Sequence, residues 1–154
     1  MTSKQLVLIA TLGSLGLLLG AFGFQHLGGL LPCKMCLWQR WPHAAAVVIG
    51  AILLLGGPRA LIWLGAVAAA TTGGIGVYHA GVEWGFWPGP SSCTGSGAGL
   101  GSMTGADLLS TEGANSLIMC DEVVWQFLGL SMAGWNAALS LALAAIWVMA
   151  ARRA

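Results

Sequence analysis

The stretch "PCKMCLWQRWPH" (residues 32–43) sets two cysteines three apart, with an arginine and a histidine, at the mouth of an apolar run that continues to residue 55. Thiols and a charge in such a place require an explanation. The chain around them is 57% hydrophobic and only 7% charged, where a soluble domain carries about 25% charged residues. Water cannot solvate such a surface, so the apolar runs must face lipid. They fall at about 6–24, 36–55, 60–78 and 132–150. A hydrocarbon core of about 30 Å takes about 20 helical residues. The expected fold is an all-α membrane protein, one integral membrane domain over 1–154 built as a four-transmembrane-helix bundle. The first run is longer than the apolar core of a cleavable signal and reads as a retained helix.

Between the runs, "GGPRAL" (56–61) is a tight connection, because Gly and Pro punctuate helices. Residues of about 25–35 form a short loop and about 80–131 a long one. The long segment is rich in Gly, Ser and Pro and holds all five acids: Glu83, Asp107, Glu112, Asp121 and Glu122. Glu83 reads as an exposed loop acid. Lys4, Arg59, Arg152 and Arg153 fall on one side of four spans, and basic residues near helix ends mark the cytoplasm. Both termini are therefore expected to be cytoplasmic, with both loops outside. Lys34 and Arg40 lie on the wrong side for a topology signal. Trp38, Trp41, Trp84, Trp87, Trp125 and Trp135 cluster at the outer level, where indoles anchor at the interface. "SLIMCDEVVWQFLGL" (116–130) suggests a short amphipathic helix on the membrane surface within about 106–130. "TGSGAGLGSMTG" (94–105) reads as a flexible loop, since no strand precedes it and no Lys-Ser/Thr closes it. No basic patch suggests nucleic acid.

All four cysteines, Cys33, Cys36, Cys93 and Cys120, map to the outer side. An oxidising compartment there favours disulfides, and three pairings are possible. A Cys-x-x-Cys pair is typically redox-active or metal-binding. A zinc site is disfavoured, because the other two cysteines lack the close spacing of a second ligand pair; no metal is expected. With Pro32 opening a helix, Cys33, Cys36 and Arg40 share one face within about 60°. The helix N-terminus and the guanidinium both favour a thiolate. Pro42 removes one helix hydrogen bond. The plainer reading of Arg40 is snorkelling to headgroups. His43 reads as packed polar, His26 as a loop residue, and His79 as a histidine near the level of Cys36.

"FQH" (24–26), "PCKMCLWQR" (32–40), "YHAGVEWGFWPGPSSC" (78–93) and "CDEVVWQFLGLSMAGWNA" (120–137), in this order along almost the whole chain, resemble the DsbB family of disulfide-generating membrane proteins. The resemblance implies a four-helix bundle of the bacterial inner membrane with bound quinone, ubiquinone or menaquinone. It implies reoxidation of a periplasmic thioredoxin-like DsbA-type partner. Carried over to this chain, Cys93 is attacked by the partner's thiolate and Cys120 then attacks Cys33. Cys36 becomes the thiolate facing the quinone, Arg40 holds the quinone, and His79 lies near it. Lys34 between the cysteines, Pro42, and the Gly-rich stretch after Cys93 depart from the pattern. The competing reading is a non-catalytic membrane subunit whose disulfides only fix the outer loop. Arg40 one turn past Cys36 argues against it, because a structural staple needs no thiolate stabiliser. A DsbB paralogue with a dedicated substrate stays open.

Overall fold

The computed structural model describes residues 1–90, 93 and 119–154. Four long helices dominate it: α1 (Ser3–His26), α2 (Lys34–Leu54), α3 (Leu61–Glu83) and α4 (Met132–Arg152). Each packs on its sequence neighbours, and α4 closes the ring against α1. Among the described residues, α1, α3 and α4 are long and apolar enough to cross a membrane. Helix α2 is set apart by the polar and charged residues of its first half, Gln39, Arg40 and His43.

Helix ends follow local chemistry and extend beyond the expected apolar runs. Thr2 and Gln5 form a reciprocal capping box, which starts α1 three residues earlier than its apolar run. The Cys33 sulfur caps α2 by accepting from the Cys36 amide at 3.2 Å. Pro32 therefore precedes the cap and does not open the helix. Pro42 sits inside α2 without ending it. Helix α3 continues to Glu83, one turn past the expected boundary, and Gly85 at φ +71° follows it. Glu83 is thus a helix residue.

Close approach of the helices depends on small residues, the usual device where lipid supplies no hydrophobic drive for association. A Cβ on Gly50 of α2 would lie 1.9 Å from Thr11 Oγ1 on α1. One on Gly76 of α3 would meet the Ala137 backbone of α4 at 3.0 Å. Leu6, Val7, Ala10, Leu53, Ile62, Ala66, Leu143 and Trp147 fill one half of the bundle. A second buried cluster, at the other end, holds Cys33, Met35, Val82, Cys93 and Cys120. Leu12, Leu19, Val48, Leu64, Val67 and Leu141 face outward. So wide an apolar exterior is incompatible with free solution.

Ser3 Oγ bonds the Ala150 carbonyl at 2.9 Å, and Arg153 bonds that of Met1 at 2.9 Å. Lys4, Arg59 and Arg153 line one depression at this end, opposite the cysteines.

Before α4, β1 (Gln126–Phe127) pairs antiparallel with β2 (Leu130–Ser131). Leu128 and Gly129 turn the hairpin at φ 51° and 80°, the positive values a tight two-residue turn demands. This overturns the expected surface helix over residues 119–130, because no right-handed helix accommodates two such residues. Residues 106–118 of that expectation lie outside the described residues. Phe24 of α1, Trp125, Phe127 and Trp135 of α4 form a chain of ring contacts at 5.2–6.4 Å that holds the hairpin on the bundle.

Candidate functional site

Where α2 begins, a cavity of about 430 Å³ opens between the helices and the hairpin segment. Its walls are mostly apolar: Leu17, Ala21, Phe24, Leu31, Trp125 and Leu139. Its polar lining includes Cys33, Cys36, Gln39, Arg40, His79 and Glu83. The sequence candidates from α2 and α3 therefore meet at one place. Cys36, Gln39, Arg40 and His43 follow i, i+3, i+4, i+7 spacing, one polar face on an otherwise apolar helix.

The inner pair consists of two free thiols with sulfurs 2.8 Å apart, Cys33 donating to Cys36. This hydrogen bond, and then burial, hold the Cys33 thiol well above the usual thiol range. The outer pair, Cys93 and Cys120, is disulfide-bonded with Cα atoms 5.3 Å apart. Their backbones also pair, Cys120 N–H to the Cys93 carbonyl at 2.6 Å. The Cys33 sulfur, a His79 ring nitrogen and the Cys120 sulfur all lie within 4.8 Å of one another. Such a trio resembles a metal site in spacing. Its Cys120 ligand, however, is consumed by the bond to Cys93. Cys93 and Cys120 are both buried, so the outer disulfide is closed against the bundle.

Arg40 does not snorkel. Its Nη1 donates to Gln25 Oε1 of α1 at 2.5 Å and its Nη2 to the Ala21 carbonyl at 3.3 Å. Its guanidinium lies 4.9 Å from the Phe22 ring centre. Its Nε is buried and has no hydrogen-bond partner among the described residues. Lys34 lies over the Trp38 ring at 5.9 Å.

The family model for "Disulfide bond formation protein DsbB" matches residues 3–150. The chain belongs to the DsbB family. Disulfide bond formation protein B of Albidiferax ferrireducens is 31% identical over 97% of this chain and 91% of that protein. The proteins of the same name from Marinobacter nauticus and Azoarcus sp. are 32% and 33% identical, over 89% and 86% of this chain and 84% and 85% of theirs. No solved structure matches. Family and helices together make this a multi-pass membrane protein of disulfide formation.

As a DsbB-family site it contains residues that the sequence reading passed over. Glu83, expected to be exposed, has a side chain only 6% accessible. It accepts a short hydrogen bond from Ser131, the N-cap of α4. Ser131 is thereby tied to α3, so Glu83 helps hold the outer segment down. Gln39, Asn136 and Thr72 form a buried polar cluster across α2, α4 and α3. His43 joins it through Asn136 Oδ1 at 2.9 Å. Thr72, His79 and Glu83 on α3, and Asn136 with Ser140 on α4, also share helical spacing. Polar residues repeating at helical spacing inside apolar runs are the signal for such a cluster.

Proposed function

We propose that the protein generates disulfides at the expense of membrane quinone. It spans the inner membrane four times with both termini in the cytoplasm and reoxidises a periplasmic thioredoxin-like partner of the DsbA type. The observation that carries this reading is the juxtaposition of the bonded outer pair with the Cys33 sulfur, beside a lipid-level cavity that also presents Cys36 and Arg40.

The cavity residues fit a quinone. The walls are mostly apolar, the Arg40 Nε, unpartnered among the described residues, supplies a donor, and Gln25 and Phe22 hold the guanidinium. Arg40, Cys36 and His79 are the residues proposed to hold it. A bound quinone supplies an acceptor for two electrons and two protons. It also meets the energetic demand. A DsbA-type oxidant sits at about −120 mV, and a glutathione pool near about −200 mV cannot recharge it.

The chain's own part is thiol exchange. A partner thiolate attacks Cys93 and releases Cys120. Cys120 attacks Cys33 of the oxidised inner pair and releases Cys36 as a thiolate. The amide end of α2 and Arg40 favour that charge. Each turnover converts one partner dithiol to a disulfide and one quinone to quinol. The test is turnover of purified protein with a reduced thioredoxin-like partner and either ubiquinone or menaquinone. Partner oxidation that requires one of the quinones supports the function. Partner oxidation indifferent to quinone refutes it.

A further inference from the structure

We propose that Gln39 and Asn136 lock His79 as an Nε2–H donor to the Cys33 sulfur, which stabilises Cys33 as a departing thiolate. The inference rests on the relay proposed above and deepens it.

The hydrogen bonds fix every orientation in the cluster. Gln39 Nε2 lies 3.2 Å from the Met35 carbonyl, which can only accept, and 3.0 Å from His79 Nδ1. Gln39 Oε1 accepts from Asn136 Nδ2 at 2.6 Å. That amide is oriented in turn. Its Nδ2 meets the Thr72 hydroxyl at 3.2 Å, and its Oδ1 accepts from Ser140 at 3.3 Å. The Thr72 hydroxyl gives its own proton to the Gln39 carbonyl at 3.1 Å. An amide nitrogen only donates, so His79 Nδ1 must accept and carries no proton. A neutral imidazole then carries its one proton on Nε2. Nε2 lies 3.5 Å from Cys33 Sγ. Three helices contribute to the cluster, so the ring cannot turn without breaking several bonds.

The other groups around the ring agree with this tautomer. On α3, Glu83 Oε1 is 3.9 Å from Nε2, where a carboxylate favours a proton. On α2, Cys36 lies beyond Cys33, Arg40 lines the cavity, and His43 sits on the far side of Asn136. From the outer segment, Glu122 lines the cavity, and the Cys120 backbone carbonyl is a second acceptor for the ring proton beside the Cys33 sulfur, which a thiolate outcompetes as the stronger acceptor.

The relay needs such a donor at one step. Cys120 attack on the inner disulfide leaves Cys33 bonded to Cys120. The partner's second thiolate attacks the partner sulfur bonded to Cys93, which forms the partner's disulfide and releases Cys93 as a thiolate. The Cys93 thiolate then attacks Cys120: the Cys93–Cys120 bond forms, the Cys33–Cys120 bond breaks, and Cys33 takes the electron pair as a thiolate. No outside oxidant enters. Cys33 is buried among Met35, Val82 and the outer pair, where an unassisted thiolate is costly. A fixed N–H at its sulfur lowers that cost without taking up a proton itself.

The test uses full-length, quinone-free protein carrying Cys36→Ser and one disulfide. Starting from the Cys33–Cys120 form with Cys93 under a photolabile block, release of the block followed by acid quenching, alkylation and peptide mapping gives the rate at which Cys93–Cys120 replaces Cys33–Cys120 between pH 6 and 9. His79→Leu is expected to slow this step about tenfold, the loss of one N–H bond to the departing sulfur. His79→Gln, which keeps an N–H, should retain most of the original rate. Gln39→Glu, nearly isosteric, places an acceptor at Nδ1, draws the ring proton there and should slow the step as His79→Leu does at pH 9. A merely structural role predicts that His79→Gln slows the step as much as His79→Leu. Unchanged rates at every pH in folded Gln39→Glu and His79→Leu proteins would overturn the proposal. Because no quinone takes part, failure of the quinone reading leaves this result interpretable.

Discussion

Arg40 of α2 is bonded to Gln25 of α1 at 2.5 Å through Nη1 and to the Ala21 carbonyl through Nη2, and among the described residues its buried Nε is the one guanidinium nitrogen without a protein partner. The arginine is thus held from one side and open on the other. Arg40→Lys keeps the charge and loses the planar fork. Its quinone KM is expected to rise about tenfold, with a smaller fall in kcat. Arg40→Ala should lose about a hundredfold in kcat/KM. Steady-state rates across quinone concentration check both. Wild-type KM in Arg40→Ala would reduce the arginine to a packing role.

The separation of at most 4.8 Å between the Cys33 and Cys120 sulfurs predicts a specific crosslink. A protein carrying Cys36→Ser and Cys93→Ser should form Cys33–Cys120 under mild oxidation, readable by peptide mass. Failure of folded protein to form it would mean that the two pairs do not exchange directly.

The cysteine pairs should separate functionally. Cys93→Ser or Cys120→Ser is expected to stop oxidation of the protein partner while a small dithiol still drives some quinone reduction through Cys33 and Cys36. Cys33→Ser or Cys36→Ser should abolish both. Assays of the two half-reactions decide, and partner oxidation at the wild-type rate in Cys93→Ser would contradict the order of the relay.

Glu83 ties α3 to the N-cap of α4 through Ser131. Glu83→Gln keeps an acceptor and should unfold near the wild-type temperature. Glu83→Ala leaves the Ser131–Glu83 bond unmade and should cost about 1–3 kcal/mol. Thermal unfolding in detergent separates them.

Gly50 tests the helix packing. Gly50→Val would drive a side chain into Thr11, and overpacking of this kind costs about 1–3 kcal/mol. A lower unfolding temperature is expected. An unchanged one would mean that α1 and α2 are less closely apposed.

The helices were legible because long apolar runs have few alternatives; their ends moved where capping intervened, as at Thr2 and Cys33, and where α3 runs on to Glu83. Cys33, Cys36 and Arg40 were legible from spacing on one helix. Glu83 was misread because the Gly-rich sequence around it suggested a loop, while its partner Ser131 lies 48 residues away. The hairpin at 126–131 was misread because apolar content suggested a surface helix. Its Leu128-Gly129 turn depends on backbone angles, which composition does not reveal. Gln39 and Asn136 are 97 residues apart, and only the folded bundle pairs them.

The most direct measurement is an anaerobic single turnover of fully reduced protein with one equivalent of quinone. Quinol is followed by absorbance, and lost thiols are mapped by alkylation and mass. The expected result is two thiols lost per quinol formed, with Cys33–Cys36 the first disulfide to appear and no quinol from Cys36→Ser protein. Quinone left unreduced by folded wild-type protein, or equal quinol from Cys36→Ser, would contradict the account.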